Sequence, residues 1–142
     1  MHTVLLVLAL SHSNLLTVLQ QVGRRGASTF FDQMEAAAFI VAQPDGSLVA
    51  VPWAANTASI RGARYSGAIP AGTIAIAHTH PFTAELPSRG DLAQAKKIRL
   101  PIYTISQWSL YVADPSGAVV PLIVRHNWLR SQRPAEFLAA EK

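Results

Sequence analysis

The chain has 142 residues, of which 50% are hydrophobic and 14% are charged, and it contains no cysteine. This length fits one domain with a sizeable buried core, and so low a charged fraction excludes an intrinsically disordered chain. The lack of cysteine excludes a disulfide framework, a cysteine-ligated metal site and a cysteine nucleophile. Any metal must therefore be bound by His, Asp and Glu side chains.

The net charge is +4, from 12 Lys and Arg residues against 8 Asp and Glu residues. The basic residues form three small clusters, within residues 24–25, 96–99 and 125–133. None of them reaches the five or six like charges that are typical of a nucleic-acid-binding arm. We therefore expect solvated basic surface and no nucleic-acid partner.

Residues 4–10 are an apolar run that is far too short to span a membrane. No Lys or Arg precedes the run and no small-residue cleavage site follows it, which favours a strand over a signal peptide. We expect a cytoplasmic protein with no membrane partner, while export through this segment stays an open alternative.

The first half of the chain predicts a helix followed by a hairpin. Residues 14–24 have apolar side chains at helical spacing, and glycines follow at positions 23 and 26. Residues 36–42 and 47–53 predict two strands joined by the Asp45-Gly46 turn. Residues 54–70 have little periodicity and predict a loop.

The second half predicts alternating strands and helices. The expected elements are a strand over 72–78, a loop over 81–87, a helix over 88–100, strands over 102–105, 109–113 and 118–124, and a short helix over 134–142. This order predicts a single domain over 1–142 of the α/β class, with a mixed central β-sheet of five or six strands and flanking helices.

One stretch of the chain indicates chemistry. His78 and His80 lie two residues apart at the end of a predicted strand, so their side chains point to the same side of the sheet. Asp91 follows in the first turn of the next predicted helix. Two imidazoles and one carboxylate can bind a zinc ion and leave one coordination position open, as in catalytic zinc sites.

Each half of this pattern also has a purely structural interpretation. Two histidines at this spacing are frequent surface or core residues, and Ser88 with Asp91 is a common helix-capping pattern. The combination is much rarer than its parts. It is therefore the combination that favours a metal site.

The combined pattern resembles the signature of the JAMM (JAB1/MPN/Mov34) metalloprotease family. That signature has an upstream Glu, then His-Ser/Thr-His-Pro, then seven residues before Ser-x-x-Asp. The sequence matches it at residues 78–81, Ser88 and Asp91, and Glu35 is the only Glu before residue 78. The resemblance covers about residues 30–124 and is greatest to compact prokaryotic JAB-type members.

The resemblance implies a JAB/MPN fold, similar to that of cytidine deaminases, and a role for each matching residue. His78, His80 and Asp91 would bind one Zn²⁺ per chain. Glu35 would be the general acid and base, and Ser88 would stabilise the oxyanion. The implied activity is hydrolysis of an amide bond by a zinc-activated water.

The implied partner is a protein or peptide substrate, such as the tail of a ubiquitin-like or sulfur-carrier protein. Eukaryotic deubiquitinating members carry extra segments, whereas the helix after Asp91 here leads directly to Pro101 and a strand. We therefore expect no such insertion at this position. Two alternatives stay open: a non-enzymatic scaffold of the same fold and a nucleic-acid-binding module. The oligomeric state is not indicated.

Overall fold

The structure is a computed structural model that describes residues 14–26, 36–53, 68–80 and 86–139. Two helices lie in these ranges, α1 (Leu15–Gly26) and α2 (Arg89–Ile98). The six strands are β1 (Ala37–Ala42), β2 (Leu48–Pro52), β3 (Thr73–Thr79), β4 (Ile102–Ile105), β5 (Ser109–Ala113) and β6 (Val119–Val124). A short 3₁₀ helix covers Pro134–Phe137.

The strands form one mixed sheet in the order β2-β1-β3-β4-β5-β6. Strands β3 and β4 are parallel, with α2 as the crossover between them, and the other neighbours are antiparallel. Because β3 and β4 are parallel, both finish at the same end of the sheet, which we call the carboxyl end. Strands β1 and β5 begin at this end, and β2 and β6 finish there.

The two helices pack on opposite faces of the sheet. The α1 face holds the larger core, in which Leu19 and Val22 of α1 pack with residues such as Ile40, Tyr103 and Ile123. The α2 face holds a smaller core of buried residues: Phe39, Ile76, Ala95, Ile102 and Ala113. The sequence prediction of a mixed α/β sheet with flanking helices is therefore confirmed.

Local sequence signals account for the main turns. Gly46 has a φ of +87°, and the side chain of Asp45 accepts hydrogen bonds from the backbone and hydroxyl of Ser47, which closes the β1–β2 turn. Helix α2 ends at Arg99, which adopts the left-handed conformation just before Pro101. The chain then enters β4 without an inserted segment, as predicted.

Of the predicted helix over 134–142, only a 3₁₀ turn forms within the described residues; the prediction is wrong at residues 138–139, and residues 140–142 lie outside the described residues. Pro134 begins a 3₁₀ turn, but Leu138 is extended and the backbone N–H of Ala139 donates to the carbonyl of Leu122 in β6 at 2.7 Å. The backbone therefore leaves the helical conformation at Leu138 and forms a hydrogen bond to the sheet in place of a further helical turn. The predicted strand over 4–10 and most of the loops 54–70 and 81–87 lie outside the described residues.

In the part of the chain that the structure describes, neither helix has the length and apolar composition needed to cross a bilayer.

Candidate metal centre

His78 and His80 lie at the carboxyl end of β3, on the face that carries α2. His78 is paired with Ala37 of β1 on one side and with Thr104 of β4 on the other, and it is only 6% exposed. The backbone N–H of His80 donates to the carbonyl of Ile105 at 2.9 Å, which extends the pairing of β3 with β4. The two imidazole rings meet edge to face, with their centroids 4.5 Å apart.

Asp91 reaches these histidines from the first turn of α2. Ser88 is the N-cap of the helix: its hydroxyl accepts from the Asp91 backbone N–H at 3.1 Å, and its own N–H donates to Asp91 Oδ2 at 2.7 Å. The two bonds form a capping box and hold the carboxylate in one orientation. Ser88 and Asp91 therefore cap the helix and also direct Asp91 Oδ1 towards His78.

The three side chains converge at distances that suit a small metal ion. His78 Nε2 lies 3.4 Å from Asp91 Oδ1, and His80 Nε2 lies 3.7 Å from Asp91 Oδ2. One ligand atom from each residue lies within 4.8 Å of the other two. Zinc–ligand bonds of about 2.0–2.1 Å in a tetrahedral site separate neighbouring ligand atoms by roughly 3.4 Å. The His78–His80–Asp91 group thus fits a metal ion of the size of zinc.

The hydrogen bond that His80 makes through Nδ1 determines which of its two ring nitrogens can bind a metal. His80 Nδ1 lies 3.1 Å from the carbonyl oxygen of Leu86, which can only accept, so Nδ1 carries the proton. In the neutral ring Nε2 then keeps its lone pair and faces Asp91. Metal-binding histidines in proteins are commonly oriented by such a bond.

The surroundings of Asp91 favour its ionised form. Burial raises the pKa of this carboxyl, but a hydrogen bond and an electrostatic attraction from His78, the hydrogen bond from the Ser88 N–H and a weaker attraction from His80 together outweigh burial. The net effect lowers the pKa of Asp91 from 3.8 to about 2. Asp91 is therefore an anionic donor at neutral pH, as a metal ligand must be.

Thr104 is a polar neighbour of the group that the sequence did not single out. Its hydroxyl oxygen is fully buried and lies 3.3 Å from His78 Nε2. The residue comes 13 positions after Asp91, on a strand whose pairing with β3 becomes visible only in the structure. No spacing in the sequence signals it.

Of the five site residues predicted from the sequence, four lie in the described part of the chain. His78, His80 and Asp91 come together as predicted, and Ser88 lies beside them with an exposed side chain. Glu35 lies outside the described residues. Its neighbour Ala36 exchanges two hydrogen bonds of 2.9 Å with Thr79, which stands between the two histidines.

Comparisons with family models, curated proteins and solved structures returned no match to this chain. The likeness to the JAMM family therefore depends on the motif residues.

Proposed function

We propose that this protein is a zinc-dependent peptidase or isopeptidase of the JAMM type, with a JAB/MPN fold. The observation that carries the proposal is the convergence of His78, His80 and Asp91 from β3 and α2. A parallel β3-α2-β4 unit supports it, since this unit brings a carboxylate on the first helical turn over two histidines at the strand end.

Zinc bound by these residues would polarise a scissile carbonyl and lower the pKa of a coordinated water to about 7. Glu35 would take the proton of the attacking water and return it to the leaving amine, a role that the resemblance implies. The Ser88 oxygen accepts from Asp91 N–H, so its own proton stays available for donation to an oxyanion.

The substrate that we propose is a polypeptide, such as the tail of a ubiquitin-like or sulfur-carrier protein. Ser88 and Leu86 are exposed next to the metal group, and we propose that the substrate reaches the group from this side. An extended chain can therefore approach the histidines along the surface.

The test is cleavage of a panel of ubiquitin-like fusions and short peptides by the zinc-loaded protein and by Glu35→Gln. We expect the variant to retain zinc and to lose about 100- to 10,000-fold in rate, because only the acid–base contribution is removed. Cleavage at an unchanged rate by Glu35→Gln would contradict the assigned mechanism. A zinc-loaded wild type that cleaves no member of the panel would instead favour the scaffold alternative.

A further inference from the structure

Six exposed arginines of the described residues lie at or near the carboxyl end of the sheet, and one of them, in α2, lies on the face that carries the metal centre. The first two, Arg24 and Arg25, lie in the last turn of α1. Gly23 lies so close to Ile105 and Leu129 that an added Cβ would stand 2.8 and 2.5 Å from their side chains. Arg24 donates two hydrogen bonds to the carbonyl of Leu129, at 2.7 and 3.0 Å, so the end of α1 is fixed beside the end of β4.

The segment after β6 brings three more arginines to the same end. The backbone N–H of His126 donates to the carbonyl of Trp108 at 3.1 Å, and Trp108 lies in the turn between β4 and β5. That turn follows Ile105, whose carbonyl accepts from His80. The exposed arginines of the segment are Arg125, Arg130 and Arg133.

The sixth arginine, Arg89, is exposed in the first turn of α2, two residues before Asp91. We call these six residues the arginine rim; they are Arg24, Arg25, Arg89, Arg125, Arg130 and Arg133. The described carboxylates at this end are Asp91, which faces the histidines, and Glu136, which pairs with Arg133 at 3.6 Å.

The opposite end of the sheet is close to electrically balanced. The turns there carry Asp45 and Asp114, and the last turn of α2 and its cap carry Lys96, Lys97 and Arg99. Among the described residues, three basic residues thus accompany two acidic ones at this end, whereas six arginines accompany two carboxylates at the carboxyl end. The excess positive charge of the described residues lies at the end that holds the metal centre.

We propose that the arginine rim binds an acidic polypeptide segment at the end of the sheet that holds the metal centre. Guanidinium groups bind carboxylates through paired, charge-assisted hydrogen bonds, and a rim of one sign concentrates chains of the opposite sign. The binding itself needs no metal. The presentation of the segment for cleavage rests on the proposed function.

A polypeptide is favoured over single-stranded nucleic acid by the scarcity of stacking surfaces at this end. Nucleic-acid grooves present several aromatic rings on which successive bases stack. Among the described residues near the rim, Trp108 is 46% exposed, and the ring of His126 is stacked on Phe137 with centroids 4.5 Å apart. One exposed indole provides a contact for a single apolar side chain of a peptide. It does not provide the row of aromatic rings on which successive bases stack.

The experiment measures fluorescence anisotropy of a labelled ten-residue glutamate peptide at low and physiological salt. The rim variant is Arg25→Glu/Arg130→Glu, and the matched control is Lys96→Glu/Lys97→Glu, which has the same charge change at the opposite end. We expect the rim variant to weaken binding by about tenfold or more and the control to bind like the wild type. Equal affinity of the two variants would overturn the proposal, as would tighter binding of a ten-residue single-stranded oligonucleotide.

A third variant separates this proposal from the proposed function. His78→Ala should bind the glutamate peptide with unchanged affinity, because the rim does not include the metal ligands. If the wild type cleaves a substrate but does not bind the peptide, the rim proposal fails and the hydrolase proposal stands. If the peptide binds but the wild type cleaves no substrate, the rim proposal stands and the hydrolase proposal fails.

Discussion

Asp91 divides its two carboxylate oxygens between a helix cap and the candidate metal site. Oδ2 accepts the Ser88 N–H, while Oδ1 faces His78 Nε2 at 3.4 Å. The bond to Ser88 restricts the side chain, so little conformational entropy is left to lose when a metal binds. A capping pattern that is common in ordinary helices thus also orients the Asp91 carboxylate towards the histidines.

Thr104 gives the most specific prediction at the scale of single residues. In the proposed hydrolase, a metal on His78 Nε2 would replace the contact with the buried Thr104 hydroxyl at 3.3 Å, and this hydroxyl would then be able to donate to the attacking water. We expect Thr104→Val to bind zinc and to lose about 10- to 100-fold in turnover. Steady-state kinetics on the best substrate, together with zinc titration, would measure this.

The matched control is Thr73→Val, which removes a hydroxyl bonded to the Pro70 carbonyl at the start of β3, far from the histidines. Turnover should be unchanged in this variant, and Thr104→Ser should keep most of the activity. Equal effects of the two valine substitutions would show that Thr104 matters only for packing.

At the scale of elements, the β3-α2-β4 unit was predictable because each of its signals is local. An apolar run ends at His78, Ser88 caps the helix, and Pro101 stops it, so the elements lie within a few residues of their predicted bounds. The register between β3 and β4 is not local, which is why Thr104 could not be found. The 3₁₀ turn was missed for the same reason, since its end depends on a bond to Leu122.

Two helical glycines should respond in opposite ways to alanine. A Cβ at Gly23 would stand 2.5 Å from the buried side chain of Leu129, so Gly23→Ala should lower the free energy of unfolding by about 1–3 kcal/mol despite its better helix propensity. A Cβ at Gly90 would lie 3.5 Å from Ser88 Oγ, an ordinary contact.

Gly90→Ala should therefore be neutral or raise the free energy of unfolding by up to about 1 kcal/mol. Urea denaturation of both variants would measure the difference. A Gly23→Ala protein as stable as the wild type would mean that α1 does not pack as closely on Leu129 and Ile105 as the structure has it.

At the scale of the whole molecule, a bound metal would join two consecutive elements, a strand and the helix that follows it. His78 and His80 belong to β3 and Asp91 belongs to α2, so a shared ion ties the helix to the sheet. Because the unfolded chain does not hold these ligands together, binding adds to stability. Free zinc at 100 times its Kd should stabilise the fold by about 2.7 kcal/mol.

Calorimetry with zinc and with a chelator would test this coupling. The melting temperature of the wild type should rise with zinc, that of His80→Ala should not, and that of His126→Ala should rise like the wild type. His126 is a suitable control because its ring stacks on Phe137 and lies outside the metal group. An equal rise in all three proteins would point to zinc bound elsewhere.

The metal content of the purified protein tests the central claim most directly. After dialysis against zinc and removal of the free ion, elemental analysis should find about one zinc per chain in the wild type and in His126→Ala, and none in His78→Ala or Asp91→Ala. A wild type without metal at saturating zinc, or a His78→Ala variant that keeps its zinc, would contradict the assignment of His78, His80 and Asp91 as a metal centre.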